Sequence, residues 1–120
     1  MLCSKFVHLP RPVGGQGKKL PAIVLTHGAG VASSRLSTAA KWAADGLLAL
    51  DFNAHGLPNA QPPAFYARLY RGELKDYFWK GRDSRDDILF HTLCLRLQRA
   101  LDVATAQAEW DGRTLIVCVS

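Results

Sequence analysis

Two kinds of apolar stretch alternate along this chain. Three are short and continuous: residues 20–26 (LPAIVLT), 46–52 (GLLALDF) and 114–119 (TLIVCV). Aliphatic runs of this length, bounded by Gly, Pro and Asp, predict strands covered on both faces, as in a parallel sheet. The other kind is helical. Residues 36–44 are rich in alanine, follow the capping candidates Ser33-Ser34 and stop at Asp45-Gly46. Later, Leu89, Leu93, Leu97 and Leu101 recur every four residues, and Ala104 and Ala108 extend the stripe. Such a row is one apolar helix face, with Arg96, Arg99 and Asp102 lying off it. Ser84-Arg85-Asp86-Asp87 has the form of a capping box at its start, and Trp110-Asp111-Gly112 closes it.

The intervening pieces are less regular. Residues 5–9 alternate weakly and end at Pro10 and Pro12, which predicts a short strand. Residues 14–19 form a polar turn, 53–63 a loop rich in Gly, Pro and Asn, and 64–80 irregular structure or short helices. The order β-turn-β-α-β-loop-α-β predicts a single α/β domain over 1–120. Its sheet is mostly parallel, with helices on its faces and right-handed crossovers.

Composition keeps that picture and narrows the function classes. The chain has 120 residues, 48% hydrophobic and 21% charged, which is enough apolar material for a core. Its net charge of +5 raises the question of a nucleic-acid partner. The bases, however, are interleaved with acids, as in Lys75-Asp76, Arg82-Asp83 and Arg85-Asp86-Asp87, which describes a solvated surface. Neither a nucleic-acid partner nor a membrane partner is expected. Cys3, Cys94 and Cys118 are odd in number and far apart, so they read as reduced, mostly buried thiols. The first residues lack the apolar core of a secretory signal, which gives the expectation of a cytoplasmic protein.

Three places are suited to chemistry. Thr26-His27-Gly28-Ala29-Gly30 follows a buried strand, where α/β sheets bind ligands, and its glycines allow backbone N–H groups close to a substrate oxygen. Asp51-Phe52-Asn53-Ala54-His55-Gly56 follows the second strand. No GxGxxG spacing accompanies it, so Asp51 and Gly56 are read as structuring the loop. Val117-Cys118-Val119-Ser120 ends the third strand in a serine, where a nucleophile elbow belongs, although Cys118 stands where the GxSxG pattern has glycine. Two alternatives stay open there: Ser120 is the nucleophile, or it is the residue before it, and the second is favoured. His8, His27, His55 and His91 are read as hydrogen-bonded structural residues, with His91 partly buried in the long helix. No HxH or HExxH pair suggests a metal.

Together these pieces resemble the acetyl xylan esterase / cephalosporin C deacetylase family of α/β-hydrolases. The similarity runs through Pro21-Ala22-Ile23-Val24-Leu25-Thr26-His27-Gly28, then Gly46 through Asp51 to His55-Gly56. It continues in Gly81-Arg82-Asp83-Ser84-Arg85-Asp86, Arg99-Ala100-Leu101-Asp102 and Glu109-Trp110-Asp111-Gly112-Arg113. The family's next element is a strand entering a Gly-Gly-Ser-Gln-Gly-Gly elbow. Its loop after the Asp reads Asp-x-Arg-Gly-Gln-Gly, where this chain has Asn53, Ala54 and His55.

The resemblance implies a partial α/β-hydrolase fold, truncated at the elbow strand, and a serine esterase that needs no cofactor and no metal. Its substrate would be an acetyl ester of a small molecule or oligosaccharide. The backbone N–H groups of Ala29 and Gly28 would serve the oxyanion hole, and His27, Asp51 and Gly56 would shape the loops. The family's catalytic Asp and His follow the elbow, so the chain by itself is expected to be an inactive fragment. Homo-oligomerisation of the full-length protein stays open. Rival readings are a non-enzymatic α/β module for nucleotides or nucleic acid, a dienelactone hydrolase and a serine peptidase.

Overall fold

The computed structural model describes residues 7–27 and 30–119. Its strands are β1 (Val7–His8), β2 (Leu20–Thr26), β3 (Leu48–Phe52) and β4 (Trp110–Val119). Its helices are α1 (Leu36–Ala44), α2 (Pro63–Arg71) and α3 (Leu89–Thr105), with one 3₁₀ turn at Tyr77–Trp79. The sheet order is β1-β3-β2-β4. β2 runs parallel to both β3 and β4, and β1 runs antiparallel to β3. The chain is therefore α/β, with a mostly parallel sheet flanked by helices.

Because side chains alternate across a strand, β2 and β3 feed two cores. On one face Ile23, Leu25 and Ala49 pack with Ala39 of α1. On the other, Val24, Leu50 and Phe52 pack with Ala100 and Ala104 of α3. Alanines at both helix contacts let the backbones approach the sheet closely. Ile23, Val24, Leu48 and Leu50 are among the largest fully buried side chains, each contributing about 1.5–3 kcal/mol of apolar transfer. This double cover explains why β2 reads as a continuous apolar run.

Several local expectations need correction. β3 begins at Leu48, two residues late. Gly46, at φ +91°, donates its N–H to Ala43 and ends α1, and Leu47 N–H still bonds to Trp42. Neither Ser33 nor Ser34 caps α1. The N-cap is Arg35, with no side-chain bond of its own. The short helices expected over 64–80 form as α2 and the 3₁₀ turn, with α2 starting one residue early at Pro63, where proline's missing N–H costs nothing in a first turn.

The capping box at Ser84 does not form. Residues 84–88 make a turn in which Ser84 C=O accepts the Ile88 N–H, and α3 is capped by Ile88 without a side-chain bond. The leucine stripe of α3 is only half right. Ala100 and Ala104 are its buried residues, Leu97 and Leu101 are partly buried against them, and Ala108 is exposed beyond the helix end. His91 is exposed, with Nδ1 3.2 Å from the Asp86 carbonyl, and Cys94 is exposed as well.

The largest departure is β4. It starts at Trp110 and is exposed along most of its length, with Leu115, Ile116, Val117 and Val119 all open. It pairs only with β2 within the described sheet, so one edge is unpaired. Periodicity identifies an apolar strand but does not say how many neighbours it has.

Candidate functional site at the carboxyl end of the sheet

Parallel pairing brings three carboxyl ends together. Thr26 of β2 stands opposite Phe52 of β3 on one side and Val119 of β4 on the other. The connection out of β2, through α1, leads towards β3 and away from β4. Crevices outside the carboxyl ends of strands, where connections diverge, are where open α/β sheets bind ligands.

Two loops leave these ends and lock onto each other. Asn53, buried at 2% exposure, is their hub. Its Oδ1 accepts the N–H groups of His55 (3.1 Å) and Leu57 (3.2 Å), and its Nδ2 donates to Ala32 C=O at 2.8 Å. Gly56 N–H closes the turn onto Asn53 C=O. Gly56 sits at φ +68°, the left-handed region that favours glycine, and a Cβ there would strike the Arg96 guanidinium. Asn59 ties the same loop to the start of α1, accepting the Ser34 N–H at 2.9 Å.

The two histidines face one another, with ring centroids 5.6 Å apart in a stacked arrangement. His27 Nε2 accepts the Ala54 N–H at 3.3 Å. His55 Nε2 lies 3.0 Å from Gly30 C=O, and since a carbonyl only accepts, the proton is on Nε2. That leaves His55 Nδ1 as a bare acceptor, buried and without a hydrogen-bond partner among the described residues. Burial holds the His55 imidazole below its usual range, with His27 and Arg96 adding repulsion. Tyr77 completes the cluster. Its hydroxyl accepts the Gly30 N–H at 2.8 Å, and its ring meets His55 edge-on at 4.7 Å.

Asp51 points to the α1 side. Its Oδ2 accepts the Arg35 N–H at 3.0 Å, so a carboxylate from β3 serves the uncapped start of α1. Burial nevertheless raises its pKa, the Arg35 N–H opposing that shift. Beside it lies a cavity of about 310 Å³, lined among others by Thr26, His27, Ser34, Thr38 and Asp51. Thr26 Oγ1 is buried without a hydrogen-bond partner among the described residues. A cavity with a carboxylate, an imidazole and hydroxyls suits a small, neutral, hydroxyl-bearing molecule.

The structure thus brings His27, Asp51 and Gly56 to one end of the sheet. Gly28, Ala29 and Ser120 lie outside the described residues. Asn59, Tyr77 and Arg96 were not singled out from the sequence as site residues. Only Asn53 had a local signal, an Asx residue opening a turn that closes on glycine. Among the described residues no group of three or more His, Cys, Asp or Glu could hold a metal, and no helix is long and apolar enough to cross a membrane.

No protein-family model, no curated protein and no solved structure matches the chain. The fold defines the class at a coarser level, as a mostly parallel α/β sheet with loop-built polar residues at its carboxyl end.

Proposed function

We propose that this chain supplies the first half of a serine carboxylic-ester hydrolase site. The protein it belongs to removes acetyl groups from a carbohydrate or similar small ester. The observation that carries this reading is the pairing of Thr26 with Val119 at the ends of parallel strands. An oxyanion loop after β2 and a nucleophile after β4 need that adjacency, because hydroxyl and N–H donors must converge on one carbonyl.

In this reading the serine, Ser120 or the residue after it, attacks the acetyl carbonyl. The N–H of Ala29 and that of the residue following the serine hold the developing oxyanion. The proton passes to a histidine oriented by an acid, both from later strands. His27 and His55 are positioning residues. Their Nε2 atoms are committed to Ala54 and Gly30, which suits holding loops and not shuttling protons. Asp51 positions α1 through the Arg35 N–H. No metal or cofactor takes part in this acyl transfer.

The test is hydrolysis of p-nitrophenyl acetate. Protein translated from the native reading frame through and past Ser120 turns it over, and alanine at the serine abolishes the turnover. The 120-residue chain stays at the uncatalysed rate. Turnover by that chain which Ser120→Ala removes would show that the site is not divided this way. Absence of turnover by the longer protein would overturn the hydrolase reading.

A further inference from the structure

A second cavity, of about 250 Å³, opens on the α3 side of the sheet, away from Asp51. Val7, Phe52 and Ala100 give it an apolar lining, while Gly56, Arg96 and Arg99 give it a polar one. Phe52 and Ala100 are buried, so the apolar end is the deep one. Arg96 is half-buried and Arg99 is exposed, which puts one guanidinium inside the cavity and one at its rim.

Among the described residues Arg96 makes no ion pair; those that form involve Arg11, Arg82, Arg85 and Arg99. The residues outside the described set contain no Asp or Glu, so no side-chain carboxylate there pairs with it. Arg96 makes one described hydrogen bond, from Nη1 to Ala54 C=O at 3.1 Å. A guanidinium carries five N–H donors, so most of its fork is unspent. Partial burial lowers its pKa. Arg99 is held only loosely by Asp102, at 3.8 Å on the surface.

The backbone is shaped to keep this guanidinium where it is. Gly56, with φ +68°, leaves room for it, and a Cβ there would stand 2.9 Å from Arg96 Nε and Cζ. A side chain at 56 would require the fork to shift. Retaining an unpaired cation against an apolar wall has a use if an anion completes the pair.

We infer that this cavity binds a small carboxylate with an apolar body. The carboxylate takes the fork of Arg96 and the attraction of Arg99, and the body lies against Val7, Phe52 and Ala100. Bidentate pairing favours a planar carboxylate over a point charge. The volume falls just below the roughly 300–1,000 Å³ of drug-sized sites, so the ligand is small. The inference does not rest on the hydrolase reading, since neither Arg96 nor Arg99 has a role in the acyl transfer, although Gly56 belongs to the paired loops and Arg96 bonds to them at Ala54 C=O.

The test is calorimetric titration of the 120-residue chain with benzoate and butyrate, with benzamide and inorganic phosphate as comparisons. Saturable one-site binding of a carboxylate is expected, with a dissociation constant of about 1 mM or tighter. Benzamide and phosphate bind at least tenfold more weakly. Arg96→Met weakens carboxylate binding at least tenfold, and Arg99→Gln, a surface change that leaves the fold intact, weakens it severalfold. No saturation by either carboxylate up to about 10 mM would overturn the inference. So would equal binding of benzamide or phosphate, or affinity unchanged in Arg99→Gln and in a folded Arg96→Met.

Discussion

At the residue scale, the paired loops depend on a few polar atoms in fixed protonation states. His55 is the most exposed to pH in this sense, because Gly30 C=O requires its proton on Nε2 while burial, His27 and Arg96 oppose a second one. Its folded pKa is depressed, so its contribution to stability is complete above the unfolded value of about 6.5 and is lost as pH falls through the folded value. Asp51 works in the opposite direction. Its raised pKa makes the contribution complete below the unfolded value of about 3.9 and lost as pH rises through the folded one. Urea midpoints measured from pH 7.5 downward should therefore decline below about pH 6.5, and His55→Gln should flatten that decline. An unchanged slope in the variant would assign the decline to other groups. Little of this was legible beforehand. His27, Asp51 and Gly56 stand out because they follow apolar runs. Asn59, Tyr77 and Arg96 are ordinary in sequence, and only long-range contacts give them roles.

At the element scale, legibility follows how much of an element's surface is covered. β2 and α1 have the bounds the pattern predicts, because both faces of β2 are buried and α1 is stopped by Gly46 at φ +91°. α3 matches the predicted apolar row at Leu97, Leu101 and Ala104, but close approach to the sheet also selects Ala100, which lies off that row. The caps failed where a distant group replaced a local one, as when Asp51 of β3 serves the start of α1. The small-residue contact can be checked directly. Ala39 is fully buried against Ile23, Leu25 and Ala49, so Ala39→Leu overpacks that layer. It should cost about 1–3 kcal/mol in denaturant unfolding. A cost near zero would mean that α1 sits farther from the sheet than the structure places it.

At the scale of the whole molecule, a well-covered centre is joined to an open flank. β2 and β3 carry helices on opposite faces, while β4 leaves Ile116 and Val117 about half exposed and Val119 at 65%, with an unpaired edge. Long, exposed apolar edges invite pairing with other chains. Val117→Lys with Val119→Lys should lower light scattering of the purified 120-residue chain while shifting its stability by no more than about 0.5 kcal/mol per site. The same flank ends beside the loop after β2, which is why the serine is sought there. The most direct measurement of that central claim is labelling of the protein from the native reading frame with a fluorophosphonate, followed by peptide mapping. One stoichiometric adduct is predicted, on Ser120 or the residue after it, at the end of β4. An adduct on a serine away from that strand end, or no adduct on an active protein, would contradict the assignment.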